Sequence, residues 1–376
     1  MRGRVVIAGI GQTAFGKLPG RSTTSLNIEA CRNALADAGV AKDEVDALLV
    51  KPPTSNPVFM YGQTLAEAMG LMPRVGGAFD QGGAANLSLI AFAAMAIEHG
   101  QCDIALVTYA DNPRTGSRHA YEKAWGDDAA HGWFGVPAGY AMLARRHMEE
   151  FGTTSDQLGA IAVAIRRHGA ANPNAQLQKP ITLEQYRDSP WVIDPLRRDD
   201  CCLVSDGGAA VVLMSADRAR ARGIDKAIPI LGFGQGQTSW DVAQRPDLTN
   251  TAAEVSSATA FRMAGLWPTD IDVAQIYDCF TITVLMTLEA YGFAAKGEGG
   301  AFCAGGNLEI GGDLPVNTAG GLLSETGMPG LQLVLEGVRQ MRGEAVTQVA
   351  GAETCIVSNQ GGIMHTHSTL ILGQPA

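Results

Sequence analysis

Two rhythms of apolar and polar positions alternate along the chain. From Ala85 to His99 the residues are apolar on nearly every side, which predicts a buried helix. Gly100-Gln101-Cys102-Asp103 then breaks the pattern, and Ile104-Ala105-Leu106-Val107 reads as a fully buried strand. The same order recurs later. Leu331 to Met341 has helical spacing, Gly343 ends it, and Thr354-Cys355-Ile356-Val357 follows as a strand. A second pair of segments matches in the same way. Ala38-Gly39 leads through Asp46 into Ala47-Leu48-Leu49-Val50, and Ala264-Gly265 leads through Asp272 into Val273-Ala274-Gln275-Ile276. In both, glycine precedes aspartate by seven residues. The repeat predicts a duplicated α/β unit of sheets covered by helices, with halves 1–220 and 221–376. Residues 112–200 interrupt the rhythm with Trp125, Trp133 and Trp191 and many glycines and prolines. This inserted loop subdomain, within the first half, is read either as a lining of the substrate entrance or as a surface unit without chemistry.

Composition narrows the classes. The chain has 376 residues, 46% of them hydrophobic and 18% charged, enough to bury a core without staples. The net charge of −10 and the absence of long Lys/Arg runs argue against nucleic-acid binding. The longest nearly apolar stretch, Leu87 to Ile97, is too short to span a bilayer, so no membrane is expected. Met1-Arg2-Gly3-Arg4 runs directly into a strand pattern, so no signal peptide is expected. Seven cysteines without a CxxC predict neither a disulfide framework nor a zinc ribbon, and fit a reduced, cytoplasmic setting. The 46 glycines point to tight turns and close backbone approaches.

Several motifs, in order, carry a resemblance to a known family. They are Val6-Ile7-Ala8-Gly9-Ile10-Gly11-Gln12-Thr13-Ala14-Phe15-Gly16 at the start, and His168 with Asn172-Pro173 in the middle. Asp199-Asp200-Cys201-Cys202 and Ser205-Asp206-Gly207-Gly208 follow, then Tyr277-Asp278-Cys279-Phe280 and Asn317-Thr318-Ala319-Gly320-Gly321. Over nearly its whole length the chain resembles the thiolase superfamily, specifically sterol-carrier-protein-type thiolases and the lipid-transfer-protein-like aldolases. The resemblance implies a five-layer αβαβα fold, a homodimer and acyl-CoA substrates.

It also shows what has been lost. A thiolase carries its nucleophilic cysteine at the N-terminus of a buried helix, twenty residues before a fixed aspartate. Counting back from Asp103 gives Gly83, in Asp80-Gln81-Gly82-Gly83, with no side chain to be acylated. The family's His-Asp-Cys-Phe reads Tyr277-Asp278-Cys279-Phe280 here, so a phenol stands where an imidazole is usual. The oxyanion-hole histidine after Gly320-Gly321 is replaced by Met328, leaving Ser324 and Glu325 as the polar groups of that loop. Glu325 is read as a base, as a cap on the next helix, or as a solvated charge. The family's Cys-x-Gly loop reads Ser358-Asn359-Gln360-Gly361-Gly362, with Asn or Gln in place of cysteine, followed by His365 and His367. A His-x-His pair without a carboxylate or thiol partner predicts no metal site. His365 is the better candidate for touching the acyl group or CoA, and His367 reads equally well as core.

The resemblance therefore places Tyr277, Asp278, Glu325 and His365 in the catalytic set. Gly83, Gly320, Gly321, Ser324, Gly361 and Gly362 then line the coenzyme A moiety, which is part of the substrate; no covalently bound cofactor is expected. Without a nucleophile, the chemistry that fits is retro-aldol cleavage of a β-hydroxyacyl-CoA. It needs a proton shuttle and donors for a thioester enolate, but no acyl-enzyme. The related aldolases use a second tyrosine after Gly-Gly, where this chain has Gly327 or a neighbour. They also work with a small OB-fold/zinc-ribbon protein, which implies a hetero-oligomer. Two other functions compete: thiolase-type acyl transfer using Cys279, and a non-catalytic acyl-CoA or lipid-binding subunit. Trp125, Trp133, Phe134 and Trp191 would suit a bulky acyl group or an ordinary subdomain core.

Overall fold

The computed structural model describes residues 2–117, 129–133, 135–240, 242–328 and 330–375, so Trp125 and Phe134 lie outside the described residues. Eleven strands are described: β1 (Val5–Gln12), β2 (Ala47–Val50), β3 (Val75–Ala78), β4 (Ile104–Asp111), β5 (Trp191–Ile193), β6 (Leu196–Arg197), β7 (Gly207–Ser215), β8 (Ile228–Gln237), β9 (Val273–Gln275), β10 (Thr354–Gly361) and β11 (Thr366–Gly373). The helices, numbered in chain order, are α1 (Thr23–Ala38), α2 (Tyr61–Met69), α3 (Ala85–Glu98), α4 (Val136–Phe151), α5 (Ser155–Ala171), α6 (Leu183–Arg187), α7 (Ala216–Ala221), α8 (Ala253–Ala264), α9 (Thr281–Tyr291), α10 (Gly299–Ala304) and α11 (Leu331–Arg342).

Nine strands are ordered β3-β2-β4-β7-β1-β8-β11-β10-β9, and β5 and β6 form a separate hairpin. The order from β1 outward to β2 (β1, β7, β4, β2) matches that from β8 outward to β9 (β8, β11, β10, β9), and β3 is the extra edge of the first half. The strands of the two halves meet where Val6 lies opposite Pro229 and Ile7 opposite Ile228. Helices α3 and α11 lie between them, each touching strands of both halves, while α1 and α2 cover one outer face and α8 the other. These are the five layers of the duplicated fold.

The repeated sequence pair has a shared physical cause. Gly39 and Gly265 end their helices at φ 63° and 64°, a left-handed turn that glycine adopts without a Cβ clash. Asp46 then accepts the backbone N–H groups of Asp103 and Ile104 at the start of β4. Asp272 accepts those of Glu353 and Thr354 at the start of β10. Each aspartate therefore fixes the entry of the neighbouring strand.

Much of the excess glycine serves helix–sheet packing. A Cβ on Gly9 or Gly11 in β1 would lie 2.3 Å from the carbonyl oxygens of Ala34 or Ala30 in α1. Gly232, Gly234 and Gly236 in β8 stand equally close to α8. Among the described residues of 112–200 the longest elements are helices, with α4 and α5 packing against α9 and α10. Among the described residues no helix is long and apolar enough to cross a membrane.

Candidate active site

Gly83 lies just before α3, the central helix, which is apolar and mostly buried against strands of both halves. The run Gln81–Gly83 lies along the end of β10. Thr366 Oγ1 donates to Gln81 O at 3.1 Å, and Asn359 Nδ2 donates to Gly83 O at 3.3 Å. A Cβ on Gly82 would sit 2.9 Å from Gly361 Cα. A Cβ on Gly83 would lie 2.4 Å from Gln360 O and 2.5 Å from Tyr277 Oη. The phenol therefore occupies the volume into which a side chain at 83 would project.

Tyr277 stands on the turn after β9 and is 8% exposed. The adjoining loop holds that turn in place: Asn317 Oδ1 accepts from Ile276 N at 2.7 Å and its Nδ2 donates to Ile276 O at 2.8 Å. The Tyr277 carbonyl accepts from Thr283 Oγ1 at 2.8 Å. Asp278, fully buried, accepts Leu322 N at 2.7 Å and Leu323 N at 3.2 Å, so its carboxyl seats the turn that begins at Gly321. Burial pushes its pKa up to about 7, against the pull of those N–H groups.

Residues Gly321–Glu325 form a π-turn. Glu325 is 1% exposed, which removes the reading as a solvated charge. The following helix, α11, has Gly330 as its N-cap and no side-chain cap, which removes the reading as its cap. Burial raises the Glu325 pKa to about 8, so the carboxyl is largely protonated at neutral pH, and Asn172 Nδ2 donates to it at 3.3 Å. Ser324 Oγ accepts from Arg166 Nε at 3.0 Å and packs on Gly169 of α5. Gly320 also packs on Gly169, and Gly321 packs on the Asp278 carboxyl. Met328 is buried, and a Cβ on Gly327 would lie 1.8 Å from Leu203 O. Position 327 therefore admits no tyrosine.

The two histidines part company. The chain turns from Gly361 to His365, and β11 begins only at Thr366, so His365 and His367 do not share a strand face. His365 Nδ1 accepts from Ile363 N at 2.8 Å, and the ring stacks on Trp240 with centroids 5.0 Å apart. His367 is fully buried, its Nε2 is 2.9 Å from Tyr291 Oη, and burial depresses its pKa to about 3. Among the described residues no group of three His, Cys, Asp or Glu could hold a metal ion.

Tyr140, on α4, comes to the site from the inserted segment. Its hydroxyl donates to Gly362 O at 2.5 Å and accepts from Gln360 Nε2 at 2.8 Å. Its ring stacks on Phe280, centroids 4.4 Å apart. Gln360 Nε2 also donates to Cys279 Sγ at 2.9 Å. Burial drives the Cys279 thiol pKa well above its ordinary value, so the thiol stays protonated. Sequence reasoning missed Tyr140. The only local signal was an aromatic residue on the apolar side of a helix, which reads as core. Trp133 reaches the same loop, since it and Ile363 both crowd Gly139, whereas Trp191 lies on the β5–β6 hairpin and is 52% exposed.

Residues 234–374 match the model of the thiolase C-terminal domain-like family. The chain is 39% identical to the steroid side-chain-cleaving aldolase of Thermomonospora curvata, over 99% of this chain and 98% of that one. It is 37% identical to the 17-hydroxy-3-oxo-4-pregnene-20-carboxyl-CoA lyase of Mycobacterium tuberculosis, over 99% and 100%. An acetyl-CoA acetyltransferase of Methanothermobacter thermautotrophicus is also 37% identical, over 95% and 96%. A solved structure of the Ltp2-ChsH2(DUF35) aldolase superposes with a TM-score of 0.90 at 36% identity, covering 100% of this chain and 98% of that chain.

Proposed function

The chain belongs to the thiolase superfamily, in its lipid-transfer-protein-like aldolase branch, and from that membership we propose a carbon–carbon lyase that cleaves a β-hydroxyacyl-CoA by a retro-aldol step. Identity alone does not separate lyases from acyltransferases, since relatives of both kinds are similar at 37%. The observation that carries the reading is the pair Gly83 and Tyr277. Where acyl transfer requires a thiolate, this chain has main chain capped by a phenol. Cys279, the alternative nucleophile, is buried and protonated, which also speaks against acyl transfer.

In this reading Tyr277 acts as the phenolate and takes the proton of the β-hydroxyl. The Cα–Cβ bond then breaks, leaving a ketone or aldehyde and a thioester enolate. Tyr277 returns that proton to Cα, which gives the shortened acyl-CoA and restores the phenolate. The buried, protonated Glu325 is the carboxylic acid of the set, Asp278 positions the 321–325 turn, and His365 faces the acyl group. Gly83, Gly320, Gly321, Ser324, Gly361 and Gly362 line the coenzyme A thioester. The names of the two aldolase relatives favour a steroid side chain as the acyl group.

The compound name of the Ltp2-ChsH2(DUF35) aldolase supports a second chain as partner, for which the resemblance implies a small OB-fold/zinc-ribbon protein. A homodimer is supported by the end strand β3 and the exposed Phe59, Met60, Met72 and Phe92 of the first half. Seven unpaired thiols support a reducing, cytoplasmic setting.

The test is incubation of the purified chain, with and without such a partner, with a tertiary β-hydroxyacyl-CoA bearing a steroid. Release of the ring ketone and a shortened acyl-CoA is expected. A covalent acyl adduct on any residue, seen by mass spectrometry, would overturn the reading.

A further inference from the structure

We propose that Trp240 is a substrate-contacting specificity residue that selects acyl groups carrying a flat fused-ring system; this rests on the lyase reading. The indole is 79% exposed. One face stacks on His365 at an interplanar angle of 29°, and His365 is itself 4% exposed. Thr238 and Arg245, which precede and follow Trp240 in the sequence, both bond to the site loop. Thr238 N donates to His365 O at 2.7 Å, and Arg245 Nη2 donates to Ile363 O at 2.8 Å.

Arg245 is 6% exposed, and among the described residues its Nε and Nη1 have no hydrogen-bond partner. Burying a guanidinium with two unmatched donors costs more than one bond to a neutral carbonyl returns. Arg245 is a positioning residue that ties the chain near Trp240 to the site loop. A single exposed aromatic on a surface needs no explanation. Trp240 differs because its partner ring belongs to the loop that abuts Gly82 and Gly83. That places its open face at the acyl end of the thioester rather than the nucleotide end. A planar face fixed before binding gives up little freedom when a planar ring settles on it.

The experiment compares kcat/KM for a fused-ring and a straight-chain β-hydroxyacyl-CoA in the full chain and its Trp240→Ala, Trp240→Phe, Arg245→Lys and Arg245→Met variants. Trp240→Ala is expected to lose roughly tenfold on the ring substrate and less than about twofold on the chain substrate, with Trp240→Phe retaining most of the preference. Arg245→Met should reduce the ring preference and Arg245→Lys should restore part of it. Binding of the ring-bearing acyl-CoA should quench the fluorescence difference between wild type and Trp240→Phe. Equal losses on both substrates, or an absent quench, would overturn the proposal. So would unchanged selectivity in Trp240→Ala accompanied by loss of dimer or of partner co-elution, since Trp240 would then cover an interface. If wild type cleaves neither substrate, the lyase reading fails, and the fluorescence titration still decides whether Trp240 meets the ring.

Discussion

A side chain at position 83 and the phenol of Tyr277 exclude one another: a Cβ on Gly83 would come within 2.5 Å of Tyr277 Oη. The loss of a nucleophile and the gain of a phenol are therefore one structural change. Gly83→Cys is expected to destabilise the protein by about 1–3 kcal/mol by overpacking, and not to create acyl transfer. In a Tyr277→Ala background the same substitution should cost less, by about 1 kcal/mol, leaving the clash with Gln360 O. Urea unfolding of the two single variants and the double variant measures this coupling.

Tyr277→Phe removes the proton carrier while keeping the packed ring. Turnover of a β-hydroxyacyl-CoA should fall by about 10²–10⁴-fold, with unfolding free energy within about 1 kcal/mol of wild type. Steady-state kinetics beside a denaturation curve separate the two. Turnover retained in this variant would remove Tyr277 from the chemistry.

Glu325 gives a pH signature. Its pKa is raised by burial to about 8 from an ordinary 4.5, so the folded state holds a proton that the unfolded state releases. The stability it contributes is fully present below about pH 4.5 and is lost as the pH rises through 8. Glu325→Gln can still accept from Asn172, so its stability relative to wild type should rise between pH 5 and pH 9, by on the order of a few kcal/mol. Urea midpoints at pH 5, 7 and 9 check the sign.

Tyr140→Phe deletes the hydroxyl that holds Gly362 O and leaves the Gln360 amide with fewer partners. A loss of about 1–3 kcal/mol in stability is expected from the unmatched buried groups. Because the 361–365 loop is released, KM for the acyl-CoA should rise as well. Calorimetry and substrate titration read the two effects.

Cys279→Ser tests acyl transfer directly. With a buried, protonated thiol the variant should keep its turnover within about threefold, and neither protein should carry an acyl adduct in intact-mass spectra. Loss of turnover with an adduct present only in wild type would restore Cys279 as a nucleophile.

Much of the fold was legible because its signals are local. Gly39 with Asp46, and Gly265 with Asp272, each end a helix and set a strand entry within a few residues, so the duplication shows as a repeat in the chain. The missing thiol at 83 was equally legible, since the absence of a side chain needs no coordinates. Only the tertiary structure decided what surrounds that gap. Tyr140 reaches Gln360 across 220 positions of sequence. Trp240 reaches His365 from a different loop, and Ser324 turns to Arg166 of α5. His365 and His367, two residues apart, answer to different partners because the strand starts between them. Helix and strand periodicity records which face of an element is buried. It does not record which distant side chain meets that face, and in this protein those distant meetings shape the site.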